Sequence, residues 1–394
     1  MGASLLQAAK RNVHVCVVGA GVFGAWSAYY LRRAGYRVTL IDQYGPAGSR
    51  ASSGGETRII RCAYGPDEIY TRMAARSLSL WSGFFLRSGH SFLLRTGVLW
   101  MTRPGDEYAQ QSRQTLRAAA VPFQDLTYEE LQRLYPQIRF REGAEAIFEP
   151  NSGALLARRA TQAVVDQFID DGGEYRHTSV ERPAGSKTLG AIRTSDGESI
   201  AADAFVFACG PWMSKVFPDL LSSRIFVTRQ EVVFFGVPAG DRRFEPPLMP
   251  VWIDFSENRG IYGFPDIENR GFKVAFDVHG PPFDPDTGDR VVTPEGIAAV
   301  REYLAERFPA LAKAPVEESR VCQYENTSNG DFLIDRHPEM EDVWLAGGGS
   351  GHGFKHGPAV GEYVAARVAG SEHPPIEPRF SFTAKDTVQK RAVY

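Results

Sequence analysis

The chain has 394 residues, 43% of them hydrophobic and 23% charged, with a formal net charge of −3. That balance excludes a disordered chain and gives no electrostatic drive toward nucleic acid or an anionic membrane, while the length suffices for two to three domains or one large α/β unit. Four scattered cysteines (Cys16, Cys62, Cys209, Cys322) include no CxxC pair and build no disulfide framework, the pattern expected of a cytoplasmic protein.

The stretch Met1-Gly2-Ala3-Ser4-Leu5-Leu6 starts like an acylation site but has Leu6 where Ser or Thr is required. Glycines break the apolar run Val13–Tyr30, which is read as neither a signal peptide nor a membrane span. Its pattern predicts a strand over Val13–Val18, a helix over Ala25–Ala34 and a second strand over Tyr36–Ile41. Between strand and helix, Gly19-Ala20-Gly21-Val22-Phe23-Gly24 is a full GxGxxG. Its first glycine permits the tight turn, the second lets backbone N–H groups approach a pyrophosphate, and the third lets the helix pack closely. The helix N-terminus adds a positive dipole end. Asp42 closes the second strand, placed for a ribose hydroxyl. A strand before the motif, a helix after it and an acid at this distance favour a bound dinucleotide over a plain glycine turn.

Further along, Arg58 and Arg61 lie three apart in "TRIIR", which on a helical turn would share one face. Ile59-Ile60 between them imply partial burial, where an arginine needs an anionic partner. Glu198–Pro218 reads as a strand ending in Ala208-Cys209-Gly210-Pro211-Trp212, expected to return to the nucleotide sheet with Cys209 as a core residue. Strands are predicted over Glu231–Val237 and Gly271–Asp277. In the latter Lys273 has small same-face neighbours, Gly271 and Ala275, and points either inward or to solvent. The Pro- and Asp-rich stretch Gly280–Asp289 is expected as a surface loop at the entrance to the substrate cleft. Val343–Gly370 reads as a strand, a glycine-rich loop and a helix from about Pro358. Glycine-bearing strand ends spread over most of the chain imply an extended dinucleotide, and FAD fits better than NAD. The histidines show no metal-ligand spacing, so no metal is expected. The final Ala392-Val393-Tyr394 is no targeting address.

Four segments, Gly48–Gly65, Ile261–Phe276, Val321–Glu339 and Gly349–Glu362, resemble monomeric sarcosine oxidase and its relatives. That group of D-amino-acid-oxidase-type flavoproteins includes N-methyltryptophan, pipecolate and fructosyl-amino-acid oxidases. The likeness runs in order over nearly the whole chain. It implies an α/β fold: a Rossmann-like FAD-binding domain of the glutathione-reductase type, with a second α+β substrate domain on a mixed β-sheet. The FAD-binding pieces are expected at 1–92, 153–225 and 329–394, and the substrate domain at 93–152 and 226–328.

The resemblance also implies roles. Cys322, which precedes "xYxNT", matches the cysteine bonded to the 8α-methyl of the flavin; the residue alone would equally suit a buried thiol. Arg61 and Lys355 match the ligands of the substrate carboxylate, and two cations for one carboxylate imply an amino acid substrate. Arg58 is placed against the flavin ring, and Lys273 activates O2 through a water. Tyr262 and Tyr324 border the substrate pocket, and His352 touches the ring edge. Cofactor contacts are implied at Gly19, Gly21, Val22, Phe23, Gly24, Asp42, Gln43, Ser52, Ser53, Thr57, Arg58, Ile59 and Val180. Downstream they are implied at Cys209, Gly210, Trp212, Gly349, Gly351, His352, Gly353, Phe354 and Lys355.

One departure bears on the substrate. Sarcosine oxidases carry a histidine four residues after the oxygen-activating lysine, and this chain has Asp277, as the fructosyl enzymes have an acid. Asp277 is therefore expected at the catalytic centre, with a substrate bearing a hydroxyl or a second cationic group. The arginine at 58 is of the sarcosine type, since the fructosyl enzymes have lysine there. The implied reaction is oxidation of a secondary-amine amino acid: hydride passes to flavin N5, the imine hydrolyses, and O2 becomes H2O2. The expected partners are that small molecule and O2, with no nucleic acid and no membrane, and the protein is expected as a monomer. The alternatives are a fructosyl-amino-acid oxidase, a cyclic imino acid (pipecolate or proline) oxidase, and a dehydrogenase that passes electrons to another acceptor.

Overall fold

The computed structural model describes residues 12–256 and 260–386; Met1–Leu6 and Ala392–Tyr394 lie outside the described residues. The fold is α/β. The strand His14–Val18 is buried along its whole length, as a strand covered on both faces requires. It pairs in parallel with Arg37–Ile41 on one side and Ala204–Phe207 on the other. These belong to a six-stranded sheet in the order 333–336, 343–347, 204–207, 14–18, 37–41, 174–176, antiparallel only at the first pair. The segment ending in Ala208-Cys209-Gly210 thus returns to the centre of the nucleotide sheet, beside the strand that opens it.

The first helix runs over Val22–Arg33, three residues earlier than the periodicity predicts, with Gly21 as its N-cap. Gly19 takes φ +103°, and a Cβ on it would collide with the Ala208 carbonyl. A Cβ on Gly24 would overlap the Gly19 carbonyl oxygen, so the turn and the close docking of the helix both need glycine. The helix Gly357–Val368 packs alongside, where a Gly361 Cβ would stand 2.5 Å from the Trp26 backbone. Trp26 meets Trp81 and Phe84 edge-on at 5.0 and 5.2 Å, which anchors the long helix Glu68–Ser88 in the same core.

An eight-stranded mixed sheet, in the order 316–327, 225–235, 272–276, 261–264, 251–254, 98–102, 145–149, 124–126, forms the second body of structure. Its long edge ribbon pairs Ile225–Phe235 with Val316–Thr327 antiparallel, Cys322 standing opposite Gln230. Alternation along the edge strand puts Arg320, Cys322 and Tyr324 on one face, Gln323 and Glu325 on the other. The strand predicted at Glu231–Val237 is therefore the second half of a longer one. Behind the sheet, Trp252 stacks between Phe272 and Tyr303 at 5.9 and 5.6 Å. The buried Asp254 carboxylate accepts from Arg307 and from the Tyr303 hydroxyl, so the ion pair has the extra hydrogen bond that its burial demands.

A small antiparallel sheet corrects one expectation. "TRIIR" is not a helical turn: Thr57–Ile60 is a strand paired with Gly153–Leu156. Its β-branched residues suit extended backbone, and a partner almost a hundred residues away supplies the ladder. Arg61 lies just past the strand end, so the common direction of Arg58 and Arg61 does not come from helical periodicity.

Candidate active site

Two cavities adjoin between the sheets, both lined by Gly21, Ser52, Ser53, Ala208 and Gly210. The first is cationic, with Arg58, Arg61 and Lys355 in its wall beside Cys322, Tyr262, Tyr324 and Asp277. It also collects Val22, Phe23, Ile59, Gly349, Gly351, His352, Gly353 and Phe354. The second is lined by Gly19, Asp42, Gln43, Val180, Cys209 and Trp212. Of the expected cofactor contacts, only Gly24 and Thr57 line neither cavity. Gly24 serves helix docking instead, and the buried Thr57 accepts from Lys273 through both its carbonyl and its hydroxyl, at 3.0 and 3.1 Å.

Arg61 is fixed from behind by a residue the sequence did not single out. Glu149, 1% exposed, accepts the backbone N–H groups of Cys62 and Ala63 at 2.7 and 3.0 Å and the Ser152 hydroxyl at 2.7 Å. The turn after Ile60 is thereby pinned, and Arg61 and Tyr64 project from it. The Arg61 guanidinium lies between two aromatic faces, 4.5 Å from the Tyr64 ring centre and 4.7 Å from that of Trp100, and donates to the Ala63 carbonyl. Lys355, at the head of the last helix, donates to the Tyr64 hydroxyl at 2.7 Å and to the His352 carbonyl at 2.9 Å. That hydroxyl also contacts His356 Nε2 at 2.7 Å and His352 Nδ1 at 3.2 Å. Arg61 and Lys355 are each 4% exposed, and among the described residues neither has a carboxylate partner. Burial first, and then the charge of Arg61, hold the Lys355 ammonium well below its ordinary value. A tyrosine three positions after an arginine of interest was the available signal for Tyr64; nothing local marked Glu149 or His356.

Across the cavity, Asp277 extends from the end of strand Phe272–Phe276 and accepts from the Tyr324 hydroxyl at 2.7 Å. Burial pushes its carboxyl up to about 6, against the opposing pull of Tyr324, Arg61 and Lys355. Asp277 thus lies in the cavity wall, and the Lys273 side chain points inward, one of the two directions that the sequence left open. Lys273 is 2% exposed, and burial together with Arg58 depresses it well below the ordinary value. It does not line the cationic cavity; it stands in a smaller one that shares Arg58 and Cys322 with it. Arg58 donates to the Ser52 carbonyl at 2.6 Å and to Cys322 Sγ at 3.3 Å, which places the thiol at the seam of the two spaces. The other cysteines are not activated thiols: burial pushes Cys16 up to about 12 and also raises Cys62 and Cys209.

The loop around Asp286 is placed differently from expectation. It crosses to the six-stranded sheet and closes over the Asp42 cavity, not over the substrate side. Asp286 accepts from Trp212 Nε1 at 2.6 Å and from Lys215 at 2.6 Å, and its carbonyl accepts from Arg50 at 2.8 Å. Its acidic composition finds cationic partners on the nucleotide side, which sequence position could not reveal.

The residues fit FAD. Gly21 opens onto the space at a helix N-terminus, where a Cβ would meet only Ser53 Oγ at 3.5 Å. Asp42 is held in place by the N–H groups of Ala20 and Tyr44, each at 2.7 Å, at the far end. Residues 14–367 match the family model described as FAD dependent oxidoreductase, DAO. The chain is 33% identical over 372 residues to a monomeric sarcosine oxidase of Bacillus sp. (strain B-0618), covering 92% of this chain and 94% of that protein. It is 28% identical over 368 residues to an N-methyl-L-tryptophan oxidase of Yersinia pestis (strain Pestoides F), covering 92% and 96%. Among solved structures, L-proline dehydrogenase from P. horikoshii superposes with a TM-score of 0.82 at 23% identity, over 96% of this chain and 99% of that one, a likeness of fold.

Proposed function

The chain belongs to the FAD-dependent oxidoreductase (DAO) family, and from that premise we propose that it is an amine oxidase for an amino acid carrying a secondary amine. The observation that carries the reading is the pair of buried cations, Arg61 and Lys355, converging on Tyr64 without a carboxylate of the described chain between them. Buried charges of one sign persist where a ligand completes them. A substrate carboxylate would do so, bidentate on the Arg61 fork and capped by Lys355.

Bound FAD would supply the redox chemistry, taking a hydride from the substrate carbon and delivering the electrons to O2, with Cys322 as its covalent anchor. The protein's own residues do the rest. Anchoring the carboxylate fixes the direction of the Cα–H bond, a positioning effect. Asp277, ionised above about pH 6, accepts a hydrogen bond or the proton from the substrate amine opposite the two cations. Tyr324 holds that carboxylate in place. Lys273 supplies a buried positive charge on the other side of Arg58, where O2 gains negative charge as it is reduced. The relatives named monomeric sarcosine oxidase support a monomer acting on a small molecule. No helix among the described residues is long and apolar enough to cross a membrane.

Asp277 favours a second reading of the substrate, an amino acid with a sugar-like hydroxyl or an added cation on its nitrogen. The test begins with acid precipitation of the purified yellow protein. Flavin retained in the pellet, and released by Cys322→Ser, supports the tether. H2O2 release is then compared across N-methyl amino acids, fructosyl amino acids, proline and pipecolate. Slow reaction with O2 beside fast reduction of an artificial dye would replace the oxidase with a dehydrogenase.

A further inference from the structure

The rim of the eight-stranded sheet carries an aromatic side chain that the chemistry above does not use. Phe255 lies one position past strand Val251–Asp254, as Asp277 lies one past strand Phe272–Phe276. Ile253 pairs with Tyr262 and Tyr262 with Ala275, so the next row on the same face holds Phe255, Gly260 and Asp277. The Asp277 N–H donates to the Gly260 carbonyl, and a Cβ on Gly260 would stand 3.2 Å from Phe255 Cε1. The Phe255 ring thus lies beside the bare glycine that separates it from Asp277. It also stacks on Trp100, with ring centres 5.4 Å apart and 16° between the planes. The Arg61 guanidinium lies 4.7 Å from the Trp100 ring centre. Phe255, Asp277 and Arg61 line the same cavity, and Phe255 stands between the acid and the cation.

An α-amino acid presents four groups at its reacting carbon. In the reading above, the carboxylate takes Arg61 and Lys355, the amine faces Asp277, and the hydrogen points at the flavin ring. The fourth group, the side chain, is left for the wall between the cations and the acid. That wall is Phe255, with Ile253 one row deeper in the sheet. Neither side chain has a polar atom. Two strand spacings, about 10 Å, separate the backbones at 255 and 277, enough for an apolar side chain and an amine to lie side by side. A substrate with only hydrogen there would leave the ring facing water, and an apolar group would cover it.

We propose that Phe255 determines specificity by packing against the α side chain of the substrate, which is therefore an N-alkyl amino acid with an apolar side chain and not N-methylglycine. The proposal rests on the amino acid reading and deepens it. The test uses the flavin-loaded protein and follows anaerobic bleaching of the flavin, so the nature of the electron acceptor does not enter. One series keeps the N-methyl group and varies the side chain: N-methylglycine, N-methylalanine and both enantiomers of N-methylleucine. A second keeps glycine and enlarges the nitrogen substituent from methyl to ethyl to isobutyl. The readout is the ratio of bleaching efficiencies within one protein, so a general loss of active enzyme cancels.

A few methylenes in an apolar pocket discriminate by about tenfold or more. The parent is expected to favour the faster enantiomer of N-methylleucine over N-methylglycine by at least about tenfold, and F255A to lose about tenfold of that ratio. F255L should keep most of it, and the nitrogen series should not move. Should F255A fail to fold, F255Q, similar in size but polar, should show the same loss. A parent that prefers N-methylglycine, a side-chain ratio that F255A and F255Q leave unchanged, or a loss in the nitrogen series instead overturns the role of Phe255. If no compound of either series bleaches the flavin, the amino acid reading fails first, and the proposal with it.

Discussion

At the nucleotide end of the joined cavities, charges are paired and reach water. Lys215 Nζ lies 2.8 Å from both oxygens of Asp284 and 2.6 Å from Asp286, with all three side chains more than a third exposed. Burial works against the ammonium, yet the two carboxylates hold Lys215 above its ordinary value, and hydrogen bonding to Lys215 brings Asp284 down to about 2. At the ring end the pattern inverts. Arg61, Lys273 and Lys355 are 4%, 2% and 4% exposed and donate to uncharged oxygens, and both lysines are depressed. The first arrangement ties one part of the chain to another and is complete in itself. The second leaves positive charge in a dry wall, an arrangement that disfavours the folded chain alone and favours whatever anion arrives. Charges that stabilise and charges that act are thus told apart by what they lack.

Emptying the ring end of one cation breaks the contrast most severely. Arg61→Met removes the planar fork, and kcat/KM for the amino acid is expected to fall about a thousandfold, on the order of 4 kcal/mol, mainly through KM. Flavin content should stay normal, which a flavin assay on the same preparation checks. Lys273→Met is expected to slow the O2-consuming half-reaction about a hundredfold while anaerobic reduction by substrate proceeds as before. Stopped-flow traces of the two half-reactions separate them. The same variant should melt at a higher temperature than the parent when both are free of flavin, because an uncompensated buried charge has gone. Lys215→Met should shift melting the other way. If both lysine variants move melting in one direction, the distinction between the two ends is wrong.

How much of this could be read from the chain depended on how local the information was. The glycine motif, its strand, its helix and Asp42 lie within thirty residues of one another, and the sequence marked all of them. For Lys273 the small same-face neighbours Gly271 and Ala275 left room for an inward side chain, but the sequence held the solvent-facing direction open as well. The resemblance supplied Arg61 and Lys355, but their meeting place, Tyr64, is 291 residues from Lys355, and no spacing argument reaches that far. Glu149 is similarly remote from the turn it pins. "TRIIR" misled because a three-residue spacing suits a helix, whereas the strand partner that decides its form is distant.

Asp277→Asn tests the ring end with a smaller expected effect. The carboxyl sits at about 6 and must be ionised to accept from the amine, so kcat/KM should rise through pH 6 and level off above it. In the variant that acidic limb should vanish, with a loss of about tenfold to a hundredfold at the plateau. An unchanged limb would assign it to another group, and a substrate panel run alongside would show whether hydroxyl-bearing substrates lose most.

The mildest expected effect belongs to the nucleotide end, and it is the most direct check on the idea that paired surface charges act as a closure. Asp286 gathers Lys215, Trp212 and Arg50 at the mouth of the cavity that holds Asp42. Because these side chains are partly solvated, the ion pair contributes about 1 kcal/mol or less, equivalent to a few-fold change. In the C322S background, which excludes a covalent link at that position, Asp286→Ala should speed FAD release by about two- to fivefold at low salt. At 1 M salt the screening length shrinks to about 3 Å, and parent and variant should converge. Persistence of the difference at high salt would transfer the effect from Lys215 to the Trp212 hydrogen bond, which salt does not screen. Equal release rates at low salt would mean that the loop merely lies over the cavity, and that the nucleotide end is held by its glycine turn and helix terminus alone.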